Sequence, residues 1–111
     1  MSAITTHVLD TSRGRPAAGV AVTLEIQQEE GWKWLGGGRT DDDGRARELY
    51  AGEVTEGTYR LTFNTASYWA SYRTEGFFPL VQIVFNVRDP SRDHHVPLLL
   101  SPYGYSTYRG S

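Results

Sequence analysis

Apolar and polar residues alternate with a period of two along three stretches of this chain. Val20, Val22, Leu24 and Ile26 are interleaved with Ala21, Thr23, Glu25 and Gln27; Tyr59, Leu61 and Phe63 with Arg60, Thr62 and Asn64; and Val81, Ile83, Phe85 and Val87 with Gln82, Asn86 and Arg88. Successive side chains of an extended chain point to opposite sides, so each stretch reads as a strand with one face on a core and one in water. Shorter patterns predict further strands at 5–10, from 32–35 or a little beyond, and at 47–50, 96–100 and 105–108. Turn signals separate them: Arg13-Gly14-Arg15-Pro16, Glu30-Gly31, Asp43-Gly44, Glu56-Gly57, Asp89-Pro90 and Ser101-Pro102-Tyr103-Gly104. Seven to eight short strands at this spacing predict an all-β fold, a two-sheet β-sandwich. Residues 65–73 break the rhythm. Asn64 or Thr65 can cap a helix there, and Tyr68, Trp69 and Tyr72 recur three to four apart, so one short helix of about two turns is expected. Gly36-Gly37-Gly38 reads as a flexible loop or an irregular strand end, because consecutive glycines weaken a strand.

Composition narrows the class. At 111 residues the chain has room for one core, a single domain over 1–111. Eleven Lys and Arg stand against 13 Asp and Glu, a formal net charge of −2, so no basic surface recommends nucleic acid or an anionic membrane as partner. With no cysteine, disulfides, thiol nucleophiles and cysteine zinc sites are excluded. The first residues carry neither a basic region nor an apolar run, and no stretch approaches the ~20 apolar residues of a membrane span, so a cytoplasmic location is expected.

Few residues offer chemistry. Histidine titrates nearest neutrality and leads the search for acid and base groups, and the chain has three: His7, His94 and His95. On a strand, His7 shares a face with Thr5 and Leu9 while Val8 points the other way, and His95 lies opposite the apolar face of Val96, Leu98 and Leu100. Both therefore project away from the core, and spacing alone leaves open that they are ordinary surface histidines. Adjacent His94 and His95 point to opposite faces and cannot easily chelate one ion, so no metal is expected. Asp41-Asp42-Asp43-Gly44 lacks the alternate acidic positions and distant Glu of a calcium loop, and reads as a solvated turn. There is no Gly-x-Ser-x-Gly elbow and no glycine-rich loop leading from a strand into a helix.

Longer motifs go further. Thr5-Thr6-His7-Val8-Leu9-Asp10-Thr11, then Gly14-Arg15-Pro16-Ala17, resembles the opening of the transthyretin-like family, as does Asp43-Gly44-Arg45. The run from His95-Val96-Pro97-Leu98 to Tyr108-Arg109-Gly110-Ser111 resembles the C-terminal signature of the family's enzymatic branch, the 5-hydroxyisourate hydrolases. Two positions depart from the common pattern: Ala46, where many relatives have Cys, and His94, where an aromatic residue is common.

The resemblance implies a prealbumin-like sandwich of two four-stranded sheets with one short helix. It further implies edge-to-edge dimers through the last strands, and a homotetramer as a dimer of dimers with the sites between them. It assigns His7, Arg45 and His95 to catalysis, and Tyr108 and Ser111, with His7 and Arg45, to substrate binding. The implied reaction, without cofactor, is hydrolytic ring opening of 5-hydroxyisourate to 2-oxo-4-hydroxy-4-carboxy-5-ureidoimidazoline, between urate and allantoin. The alternative is a non-catalytic carrier of a small aromatic ligand on the same fold.

Overall fold

The computed structural model describes residues 3–111. In chain order its strands are β1 (Ile4–Asp10), β2 (Arg15–Pro16), β3 (Ala21–Gln28), β4 (Gly31–Arg39), β5 (Arg45–Ala46), β6 (Gly57–Phe63), β7 (Val81–Val87), β8 (His94–Ser101) and β9 (Gly104–Thr107), with one helix, α1 (Thr65–Ser71), between β6 and β7. One sheet has the order β4-β3-β6-β7; the other has the order β2-β1-β8-β9, with β5 also pairing β1. Because β8 takes one side of β1, β2 and β5 share the other, pairing with its end at Leu9–Asp10 and its middle at Thr6–His7. Two short pieces thus fill one strand position, and the sandwich is four positions wide on both sides.

The alternation predicts the burial. Val22 and Leu24 of β3, Tyr59, Leu61 and Phe63 of β6, Val81, Ile83 and Val87 of β7, and Val96, Leu98 and Leu100 of β8 all turn into the space between the sheets. In β1, Ile4, Thr6, Val8 and Asp10 are buried while Thr5, His7 and Leu9 are half-buried on the outer face.

Three local expectations need correction, and a fourth is decided between its two alternatives. The strand expected at 47–50 does not form. Pairing occurs two residues earlier at Arg45–Ala46, and the chain then leaves one sheet for the other, dropping Leu49 and Val54 into the core on the way. Of the two readings of the three glycines, the irregular strand end holds and the loop does not: Gly36, Gly37 and Gly38 lie in the last part of β4, paired with Leu24, Thr23 and Val22, beside a register shift between Leu24 and Glu25. They are small because backbone passes close by. A Cβ on Gly36 would overlap the Leu49 carbonyl, and one on Gly37 would stand 2.6 Å from the Val22 carbonyl oxygen. Arg15 and Pro16, expected in a turn, pair with Asp10 and Leu9 after a turn that ends at Gly14.

Finally, the helix ends at Ser71 rather than Arg73. Asn64 is its N-cap, accepting from the Ser67 amide. At the other end Arg73 adopts a left-handed conformation (φ 53), with its amide donating to Ala70 O and that of Thr74 to Trp69 O, each at 3.0 Å. That pair of bonds is a Schellman stop. No helix among the described residues is long and apolar enough to cross a membrane.

Candidate active site

The outer face of the β1-containing sheet gathers the polar residues that the alternation turned away from the core. β1 and β8 run parallel with Thr5 opposite His95 and His7 opposite Pro97, while β5 sets Arg45 opposite His7. Arg45, His7 and His95 therefore come from three neighbouring strands and face the same side. The C-terminal tail closes the group: the Gly110 amide donates to the His95 carbonyl at 2.8 Å, an isolated bridge beyond the end of β9. Together these elements shape an open cleft of about 720 Å³. All five residues picked out from the sequence line it: His7, Arg45, His95, Tyr108 and Ser111.

The acidic turn before β5 positions two of them. Asp41 Oδ1 accepts from the amides of Asp43 (2.9 Å) and Arg45 (3.0 Å), and Gly44 takes the left-handed conformation (φ 78) that reverses the chain. Those amides hold the Asp41 carboxyl below its ordinary range, Arg45 N–H contributing most. The turn is locked to β1 because the Val8 amide donates to Gly44 O at 2.7 Å. Its Asp43 carbonyl in turn accepts from His7 Nε2 at 2.9 Å. A carbonyl oxygen only accepts, so His7 carries a hydrogen on Nε2, and Nδ1 is the nitrogen not engaged by that bond.

His95 is held differently. Its Nδ1 lies 2.8 Å from the Thr5 hydroxyl, a group able to donate or accept. Its pKa is pushed below the ordinary imidazole value by burial first, then by the positive charge of Arg45 and by His7. Burial, with a guanidinium and a second imidazole on the same face, therefore favours the neutral form of His95. His94 turns to the opposite face, buried, with Nδ1 donating to the Arg92 carbonyl at 2.9 Å.

Comparison with known proteins places this arrangement. Residues 4–110 match the model of the HIUase/Transthyretin family. The chain belongs to that family. It is 44% identical over 115 residues to the 5-hydroxyisourate hydrolase of Caulobacter vibrioides, covering the whole of both chains. The solved structure of Klebsiella pneumoniae 5-hydroxyisourate hydrolase superposes with a TM-score of 0.87 at 37% identity, over 99% of this chain and 100% of that one. Sea bream transthyretin, solved with thyroxine, reaches a TM-score of 0.90 at 29% identity, over 96% of this chain and 93% of that one. Both branches of the family thus share this backbone, and side chains must tell a hydrolase from a carrier.

Among the other residues lining the cleft, Arg47 and Asp93 escape a reading of the sequence, while Thr5 is placed there only as a neighbour of His7 on its face. Arg47 had a usable signal, since it lies two residues from Arg45 with buried Ala46 between them, so both guanidinium groups leave the same side of the backbone. The contact of Thr5 with His95, and the place of Asp93, come only through the pairing of β1 with β8, across about ninety residues of chain.

Proposed function

We infer that the chain is a 5-hydroxyisourate hydrolase, its residues 1–111 forming one catalytic domain that opens a cyclic amide with water. The observation that carries this reading is the convergence of His7, Arg45 and His95 on one sheet face, beside the tail that brings Tyr108 and Ser111. Opening an amide ring forms a C–O bond to water and breaks the C–N bond. One water proton must leave the attacking oxygen and one proton must reach the departing nitrogen. His7 and His95 each retain an imidazole nitrogen for these transfers. Arg45 stays cationic at any working pH and offers paired donors, suited to orienting the ring and to stabilising the oxyanion of the tetrahedral intermediate. Tyr108 supplies a hydroxyl at the cleft wall for a ring heteroatom, and Ser111 lines the same wall.

The carrier alternative explains less. A carrier needs a pocket with affinity for its ligand, and nothing in transport calls for two imidazoles and a guanidinium on one face.

We further propose that the working unit is a homotetramer built as a dimer of dimers. Both sheets end in strands with an open side, β7 and β9. Val84 on β7, Tyr105 on β9 and Tyr108 just beyond it are exposed, at 57%, 42% and 58%. Pairing like strands between copies would satisfy those edges and cover those side chains. It would also deepen a cleft that is open in one chain.

The test generates 5-hydroxyisourate from urate in situ and follows its ultraviolet decay. The protein should accelerate that decay well above the spontaneous rate, in proportion to its concentration; decay at the background rate refutes the hydrolase reading.

A further inference from the structure

This inference rests on the hydrolase reading and deepens it, turning from the residues that meet the substrate to those that aim one of them. We propose that Thr5 and Gly110 are positioning residues for His95, gripping its imidazole from two edges so that Nε2 is the nitrogen presented to the reaction.

Nδ1 and Cδ2 flank Cγ on opposite sides of an imidazole, and each meets a different element here. On one side Nδ1 is 2.8 Å from Thr5 Oγ1, on the residue paired directly with His95 in the parallel ladder. On the other side the tail runs against the ring. A Cβ built on Gly110 would stand 2.5 Å from His95 Cδ2, 3.2 Å from Cγ and 3.3 Å from Cβ. Glycine is therefore required at 110 to make room for the ring, and its amide secures the approach by donating to the His95 carbonyl at 2.8 Å. Turning the ring over would face Cδ2 to the Thr5 hydroxyl and forfeit that bond. With Nδ1 engaged and the Cδ2 edge covered, Nε2 is left for proton transfer.

The hydroxyl partner suits a group that changes charge. With Nε2 as the reacting nitrogen, the neutral ring carries its hydrogen on Nδ1 and keeps it there when Nε2 is protonated, so the Thr5 oxygen accepts in both states. His95 can thus take a proton at Nε2 from the attacking water and return one from Nε2 to the departing nitrogen without moving and without losing its partner. His7 is held at the other nitrogen, its Nε2–H donating to the Asp43 carbonyl, so Nδ1 is the nitrogen it retains. The charged and titratable groups around His95 are His7 on β1, Arg45 and Arg47 at and after β5, Asp93 and His94 before it in the chain, and Tyr108 and Arg109 in the tail.

Thr5→Val keeps the shape and removes the hydroxyl; Thr5→Ser keeps the hydroxyl. Misplacing a reacting group by about 1 Å can cost ~10²-fold, so Thr5→Val should lower kcat by about that factor with KM little changed, and Thr5→Ser should restore most of it. The hydroxyl also accepts a charge-assisted bond from the imidazolium, so its loss should lower the His95 pKa further and move the acid limb of kcat/KM to lower pH in Thr5→Val. Gly110→Ala should depress kcat similarly by displacing the ring. Nitrogen-15 spectra of His95 provide a readout that needs no substrate: Thr5→Val should change the Nδ1 resonance and the titration midpoint, while Thr5→Ser retains both. Wild-type kcat and an unmoved acid limb in Thr5→Val, or Thr5→Ser as impaired as Thr5→Val, would overturn the proposal. If the wild type fails to hydrolyse 5-hydroxyisourate, the hydrolase reading falls, while the spectra still decide whether Thr5 holds His95.

Discussion

At the scale of single residues, the cleft is governed by which atoms each histidine has already committed. His7 spends Nε2 on a backbone carbonyl supplied by the turn that also carries Arg45, so a change in that turn disturbs both groups at once. His7→Ala or Arg45→Gln should leave the fold intact, because neither side chain is in the core. Each should cost about 10²- to 10⁴-fold in turnover, the usual range for a proton-transfer group, measured as acceleration over spontaneous decay. The depressed pKa of His95 sets the sign of the pH response. A group held below its ordinary value of 6.5 stays neutral to lower pH, so the acid limb attributable to His95 should lie below that value. Because the charge of Arg45 contributes to the depression, Arg45→Gln should raise the His95 titration midpoint in nuclear magnetic resonance spectra even where activity is too low to profile. A midpoint unchanged in that variant would contradict the coupling between the two groups.

At the scale of elements, a buried polar junction ties the helix to the first strand. Asp10 faces inward at the end of β1 and is fully buried. Its Oδ1 accepts from the Ser12 amide and hydroxyl and from the Arg13 amide, and its Oδ2 accepts from the Tyr68 hydroxyl at 2.6 Å. Burial first, then the Asp10 carboxylate, pushes the Tyr68 hydroxyl far above its usual pKa. Tyr68→Phe deletes one partner and strands a carboxylate oxygen in the interior, so it should destabilise the protein by about 1–3 kcal/mol in chemical denaturation while leaving the cleft untouched. The alternation marks Asp10 as inward-facing, yet only the packing of α1 over that end of β1 reveals what satisfies it. Gly36 carries a similar lesson: three glycines suggest looseness, whereas they permit β4 to pass beneath the segment that follows β5. Gly36→Ala should be strongly destabilising, because backbone and not a pliable side chain occupies the space.

At the scale of the whole molecule, the open cleft and the free edges of β7 and β9 belong to one picture. If the copies associate as proposed, sedimentation should report four chains of 12.4 kDa, and dilution into monomers should reduce activity together with mass. Removing residues 108–111 takes away Tyr108, Ser111 and the cover over His95 while leaving every strand of both sheets in place. That truncation should abolish hydrolysis with only modest loss of folding; full activity would show that the tail is dispensable to the site.

The sequence by itself determined the longer strands, their inward and outward faces, the short helix and, through its terminal motifs, the family and five of the residues that line the cleft. Those properties are local: alternation is set by backbone geometry over a few residues, and motifs are read in order along the chain. Only the tertiary structure decided that Thr5 stands against His95 Nδ1, that Gly110 closes over the same ring, and that Asp10 meets Tyr68. Each of these depends on strands or elements far apart in sequence being brought into one register. Hydrophobic periodicity says which face a residue occupies, but not which distant residue lies beside it on that face.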